Sequence, residues 1–243
     1  MTTLTVEHQA RFPVAVVRLY GLLDRHTAQV AREAMLEPLA DQPSALVVDL
    51  RRVRVSNEIT LVLFAAVAAR AARWPGTHLL LVAPASGIGG ALARRAVSRH
   101  LTVYEPMEAA LAAARNFPVP RRVTLHLHPT VYAAASARAF VLAACERCDV
   151  PPATRDLAEL VISELVGNAV RHAATPLDVS LLVRGEDLYV SCRDRALGRP
   201  VAKTPDVTEE RGRGLLLIAA VSSAWGCVPT TDGKIVWARL DTR

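Results

Sequence analysis

The chain has 243 residues, 51% hydrophobic and 21% charged, with a mean hydropathy of +0.24. That composition supports a buried core and excludes intrinsic disorder as the main description. The net charge of +6 is spread along the chain, +4 through residue 116 and +2 beyond it, so no basic tail or stripe marks a nucleic-acid surface.

The cations are almost all arginine; Lys203 and Lys234 are the only lysines. The longest apolar runs, at 61–69 and 215–221, fall well short of the ~18–20 residues of a membrane helix. The first residues lack the charged-then-apolar pattern of a signal peptide. Cys145, Cys148, Cys192 and Cys227 are too few and too scattered for a disulfide framework. The expectation is a cytoplasmic protein without a membrane segment and without direct nucleic-acid contact.

In chain order, the β-branched run 14–19 predicts a strand that turns at Gly21. A helix is expected over 27–39, a short buried strand over 45–50, and an Ala-rich helix over 59–74 that stops at Pro75-Gly76. Strands at 79–83 and 101–104 flank a helix at 90–100, and a last helix covers 107–115. This alternation predicts an α/β sheet. Pro118 and Pro120 favour extended backbone, which predicts a linker at 117–121 between domains 1–116 and 122–243.

The second half is ordered differently. Residues 122–128 alternate apolar and polar as a half-exposed strand. Helices at 131–148 and 152–174 follow, then strands at 179–184 and 188–192 and a long polar loop from 195 to 213. A glycine-led helix at 214–225 precedes a terminal hairpin that turns at Asp232-Gly233. Helices first and strands later predict an α/β sandwich with a mixed sheet.

The strongest chemical signal is Glu164-Leu165-Val166-Gly167-Asn168-Ala169-Val170-Arg171-His172. Steps of four turn a helix by about 400°, so Glu164, Asn168 and His172 form one drifting polar stripe. A carboxylate beside a carboxamide on a largely buried helix is costly unless both meet partners or a ligand. An Asn oxygen suits Mg2+, and a Glu one turn away can accept a proton from an attacking hydroxyl. Asp194 ends a strand, where its carboxylate can accept an amine hydrogen from a base edge. Gly212-Arg213-Gly214 opens the next helix, where backbone N–H groups can approach phosphates.

In that order these pieces, with Gly233-Lys234-Ile235-Val236-Trp237 behind them, resemble the Bergerat-type ATP-binding domain of gyrase, histidine kinases and bacterial anti-sigma factor serine kinases. The short form is most similar to the anti-sigma factor kinases. The resemblance implies ATP and Mg2+ as cofactors, Glu164 as general base and Asn168 as the Mg2+ ligand. It also implies Asp194 on the adenine amine, Gly212, Arg213 and Gly214 at the phosphates, and His172 near the nucleotide. The chain departs from the family after Asp194, where Arg195-Ala196-Leu197-Gly198 stands in place of glycine-rich residues.

The first half is similar to STAS domains, the anti-sigma factor antagonists that such kinases bind and phosphorylate. The resemblance rests on Gly21-Leu22-Leu23-Asp24 and Val47-Val48-Asp49-Leu50, each before a helix. The family's phospho-acceptor serine falls on Glu58, in Asn57-Glu58-Ile59-Thr60. A carboxylate at a helix start partly mimics phosphoserine and cannot itself be phosphorylated. Ser56 and Thr60 are the nearby hydroxyls.

The resemblance therefore implies a partner-switching regulator that phosphorylates a STAS partner, with its own STAS half as a dock or regulator. Partners would be a STAS-domain antagonist protein, a sigma factor, or both. A non-catalytic protein that binds ATP or sequesters a sigma factor or STAS partner, and a scaffold that homodimerises through sheet faces, stand as alternatives. Weaker patterns read as structure. Cys145-Glu146-Arg147-Cys148 is expected as thiols in a helix, His126 and His128 as one face of a strand, and Arg51, Arg52 and Arg54 as a solvated loop able to neutralise Glu58.

Overall fold

The computed structural model describes residues 4–94, 101–196 and 213–243. The chain divides into two compact units, Met1–Val119 and Pro120–Arg243.

The N-terminal unit begins with the antiparallel hairpin β1 (Leu4–Arg11) and β2 (Val14–Leu23). After α1 (Ala28–Leu36) and a 3-10 turn come β3 (Ala45–Val55) and, through a second 3-10 turn (Glu58–Leu61), α2 (Val62–Arg73). Then follow β4 (His78–Val82), α3 (Ile88–Arg94), β5 (Thr102–Tyr104) and α4 (Met107–Arg115). The sheet order is β1-β2-β3-β4-β5, parallel from β2 onward. Residues 45–50 are buried throughout, as a central parallel strand covered on both faces requires.

Two strands differ from expectation. β1 has no counterpart in the predicted elements: it is an edge strand whose residues are mostly polar, and only its pairing with β2 reveals it. β3 runs on to Val55, so Arg51, Arg52 and Arg54 belong to a strand and not to a loop. Pairing with β2 resumes beyond an irregularity between Arg18 and Tyr20, and Arg52 lies over the Tyr20 ring, 5.7 Å from its centre.

The C-terminal unit contains β6 (Arg121–Leu127), α5 (Ala133–Arg147), α6 (Pro152–His172), β7 (Leu177–Arg184) and β8 (Asp187–Asp194). It ends with α7 (Arg213–Val221), β9 (Ala224–Thr230) and β10 (Gly233–Asp241). Its core joins Val161, Ile162, Leu165 and Val166 of α6 to Val179 and Leu181 of β7 and to Leu188, Val190 and Cys192 of β8. Ile218 of α7 closes this core.

The α/β class is as expected, but this sheet is antiparallel throughout and not mixed, in the order β6-β7-β8-β10-β9. The reason is connectivity. Helices α5 and α6 form a pair that returns the chain to the end where β6 stopped, so β7 must run opposite. Strands β8 and β9 point the same way, but β10 lies between them and removes the parallel contact. The helix expected over 214–225 also ends early, at Val221, because Ala224 and Trp225 are taken into β9.

Candidate functional site

Helix α6 starts cleanly because Pro152, in its first turn, has no N–H to leave unpaired. It buries Val161, Ile162, Leu165, Val166 and Ala169. The polar stripe lies at the margin of that buried face: Glu164 and Asn168 are half-buried, and His172, the last helical residue, is exposed.

Helix α7 comes onto this stripe at Gly214. A Cβ built on Gly214 would sit 2.3 Å from Glu164 Oε2 and 3.7 Å from Asn168 Nδ2. The amino end of α7 therefore rests on the two α6 side chains, and glycine is what lets it come so close. The positive end of the α7 dipole faces a carboxylate there, which is favourable for any negative group at that spot. Arg213 opens α7, and Gly212 lies outside the described residues.

Asn168 has an additional partner. Arg171 Nη2 donates to its Oδ1 at 2.8 Å. Spaced by three on one helix, the two side chains are natural neighbours.

At the end of β8, Asp194 is 2% exposed. Its Oδ1 accepts from Lys234 Nζ at 2.8 Å and from the Ala196 backbone at 3.0 Å. Lys234 faces it directly across the β8–β10 ladder. A buried carboxylate needs such a cation, since an unpaired charge in the interior is strongly unfavourable. Gly233 brings β10 close: a Cβ there would lie 2.0 Å from the Asp194 carbonyl oxygen.

The segment after Asp194 is held by polar contacts. The Arg195 backbone donates to Thr175 Oγ1, and its guanidinium reaches the Pro176 carbonyl and Asp178 at 2.9 and 2.5 Å. His126 pairs with the other oxygen of Asp178. Cys145 is buried in α5, and burial pushes its thiol up to about 11.

In the N-terminal unit, Glu58 opens the 3-10 turn before α2. Asn57 caps that turn by accepting from the Ile59 N–H at 2.9 Å. Glu58 pairs with Arg94 of α3 at 2.9 Å, and Arg51 pairs instead with Asp49, through two bonds of 3.0 and 2.8 Å. Arg94 of α3 thus supplies a neutralising charge to Glu58. Ser56 is exposed, and Thr60 donates to the Asn57 carbonyl at 2.6 Å. A depression of about 360 Å³ lies beside them, lined by Asp24, Arg25, His26, Ser56, Asn57, Ile59 and Thr60.

Residues 127–240 match the family model described as histidine kinase-like ATPase domain, over a little less than half the chain. Over those residues the C-terminal unit is similar to histidine kinase-like ATPase domains. All of the C-terminal candidate residues lie within that match.

Among solved structures, the chain is similar to an anti-sigma factor antagonist from Mycobacterium paratuberculosis, at 25% identity and TM-score 0.42, over 47% of this chain and 96% of that one. It is similar to the unphosphorylated anti-sigma factor antagonist SpoIIAA at 14% identity and TM-score 0.39, over 47% and 99%. It is also similar to the RsbU and RsbW domains of a Mycobacterium tuberculosis protein, at 19% identity and TM-score 0.39, over 49% of this chain and 31% of that one. A comparison with curated proteins gave no match.

Around the ATPase domain's candidate residues, sequence reasoning missed Lys234, Arg171 and Arg195 as partners. Lys234 carried one signal: it is one of two lysines in a chain whose other 27 Lys and Arg residues are arginine. Arg171 sits at helical spacing from Asn168, which would have found it.

No helix among the described residues is long and apolar enough to cross a membrane.

Proposed function

We propose that this chain is a partner-switching regulator whose ATPase domain uses ATP and Mg2+ to phosphorylate a serine or threonine of a STAS-domain partner. The observation that carries the reading is the seating of Gly214 on Glu164 and Asn168. It joins the α6 stripe to the amino end of α7 inside a segment matched as a histidine kinase-like ATPase.

In this reading Glu164 takes the proton of the attacking hydroxyl. The Asn168 carboxamide oxygen, a hard ligand now accepting from Arg171, would hold Mg2+. Mg2+, when bound, supplies charge neutralisation across the phosphates. Backbone N–H groups of Arg213 and Gly214 at the α7 start donate to phosphate oxygens, and the resemblance assigns Gly212, outside the described residues, to the same phosphates. Asp194 accepts from the adenine amine, and His172 borders the nucleotide. The half-buried position of Glu164 and Asn168 suits this work, because both remain reachable from solvent.

The N-terminal unit, read as STAS-like from its sequence, serves as a dock or regulator held in one charge state by Glu58. Its pairing with Arg94 supports this, since a phosphate at that position would meet the same guanidinium. The partners in this reading are a STAS antagonist protein and, through it, a sigma factor, in the cytoplasm.

Radiolabelled phosphate transfer from ATP to a panel of serine-bearing STAS proteins tests the reading. Transfer is expected to at least one, and to fall by roughly 100-fold or more in Glu164→Ala. Transfer that survives this substitution unchanged would remove Glu164 from the mechanism.

A second reading, a partner-binding protein without transferase activity, is favoured by the segment after Asp194. There Arg195 is tied to Thr175, Pro176 and Asp178 in place of glycine-rich backbone. It predicts partner binding with no transfer to any member of the panel.

A further inference from the structure

Lys234 and Asp194 are cross-strand neighbours forty positions apart, with side chains 15% and 2% exposed. Both hydrogen bonds of the Asp194 carboxylate fall on Oδ1, from Lys234 Nζ and from the Ala196 backbone. Neither of these two bonds uses Oδ2. The approach of β10 is set by Gly233, which lies against the Asp194 carbonyl. A compact ammonium fits so close a crossing better than the wide planar fork of arginine. This chain uses a lysine here although 27 of its 29 Lys and Arg residues are arginine.

We infer that Lys234 is a positioning residue for base recognition: it engages one oxygen of Asp194 and holds the carboxylate in a single pose, with the other oxygen left for the 6-amino group of adenine. The inference rests on the ATP-binding reading and adds to it a determinant of nucleotide specificity. A base with a 6-oxo group presents an acceptor to that same oxygen and is rejected, because two acceptors face each other without a proton between them. Lys234 acts through Asp194 and does not touch the base in this account.

The test compares the affinities of the full chain for Mg-ATP and Mg-ITP by calorimetry. The wild-type chain is expected to prefer ATP by a hundredfold or more. Lys234→Gln, which keeps a polar group next to Asp194 but removes the charge, is expected to shrink that preference roughly tenfold. Lys234→Met is expected to shrink it further, with circular dichroism to confirm folding. In an Asp194→Asn background, Lys234→Gln is expected to change the preference no further, which a merely structural role would not produce.

An unchanged ATP-to-ITP ratio in folded Lys234→Gln, with ATP bound by the wild-type chain, would overturn the inference and leave the ATP reading standing. Absence of ATP binding by the wild-type chain would overturn both.

Discussion

Gly214 packs directly against Glu164 at the meeting of α7 and α6: a methyl group on the glycine would lie 2.3 Å from a carboxylate oxygen of the glutamate. The obstacle is the far end of a flexible side chain, so it can move aside, but only by leaving the position that the proposed transfer assigns to its proton acceptor.

Gly214→Ala is therefore expected to fold normally. Its stability should stay within about 1 kcal/mol of wild type, because the helix propensity gained by alanine offsets the displaced carboxylate. Phosphate transfer is expected to fall by roughly 100-fold, as small misplacements of a reacting group do. Urea unfolding and transfer assays on the same preparation separate the two effects. A variant with normal transfer would show that Glu164 works from another position.

Gly233→Ala makes the opposite case. Its Cβ would meet backbone, 2.0 Å from the Asp194 carbonyl oxygen and 2.7 Å from the Arg195 Cα. Backbone within a ladder cannot step aside, so the β8–β10 pairing must shift. A loss of about 1–3 kcal/mol is expected, visible as a thermal midpoint several degrees lower. An unchanged midpoint would contradict the close approach of the two strands.

Asp49 gives the N-terminal unit an acid-sensitive point. Burial pushes its carboxyl up, but the hydrogen bonds and charge of Arg51, with Arg18 further off, outweigh this and hold it below the ordinary carboxylate range. A carboxyl depressed in the folded state stabilises fully above the unfolded value of 3.8, and that contribution is lost as pH falls through the lower folded value. Arg51→Met is expected to weaken the unit above pH 4 and to flatten its loss of stability below it. Denaturant midpoints across pH 2–6 check this, and parallel curves for the two proteins would contradict it.

Glu58→Ser restores a hydroxyl at the position that the STAS resemblance assigns to phosphate. The Glu58–Arg94 pair is exposed, with side chains 44% and 65% accessible, so its loss should cost well under about 1 kcal/mol. The variant is expected to gain one phosphate on incubation with ATP, seen by mass spectrometry. A folded variant that gains none would mark the N-terminal unit as a dock only.

Elements whose boundaries carry local chemistry were legible in the sequence. Helix α4 occupies Met107–Arg115 as expected, because Pro106 precedes it and Asn116-Phe117-Pro118 follows. The β7–β8 hairpin turns at Gly185, where φ is +58°, a conformation glycine adopts without strain. The stripe of Glu164, Asn168 and His172 follows from helical period alone. What stayed hidden depends on contacts between distant positions. β1 is an edge strand visible only through its pairing, and the Lys234–Asp194 and Arg94–Glu58 pairs join residues 40 and 36 positions apart with no period to announce them. The direction of the C-terminal strands was lost for the same reason, since the insertion of β10 between β8 and β9 is a property of the sheet and not of any segment.

Calorimetric titration of the full chain with Mg-ATP tests the central claim most directly. One site per chain is expected, with affinity reduced at least tenfold in Asp194→Ala and in Asn168→Ala. No heat of binding at millimolar nucleotide would contradict the account.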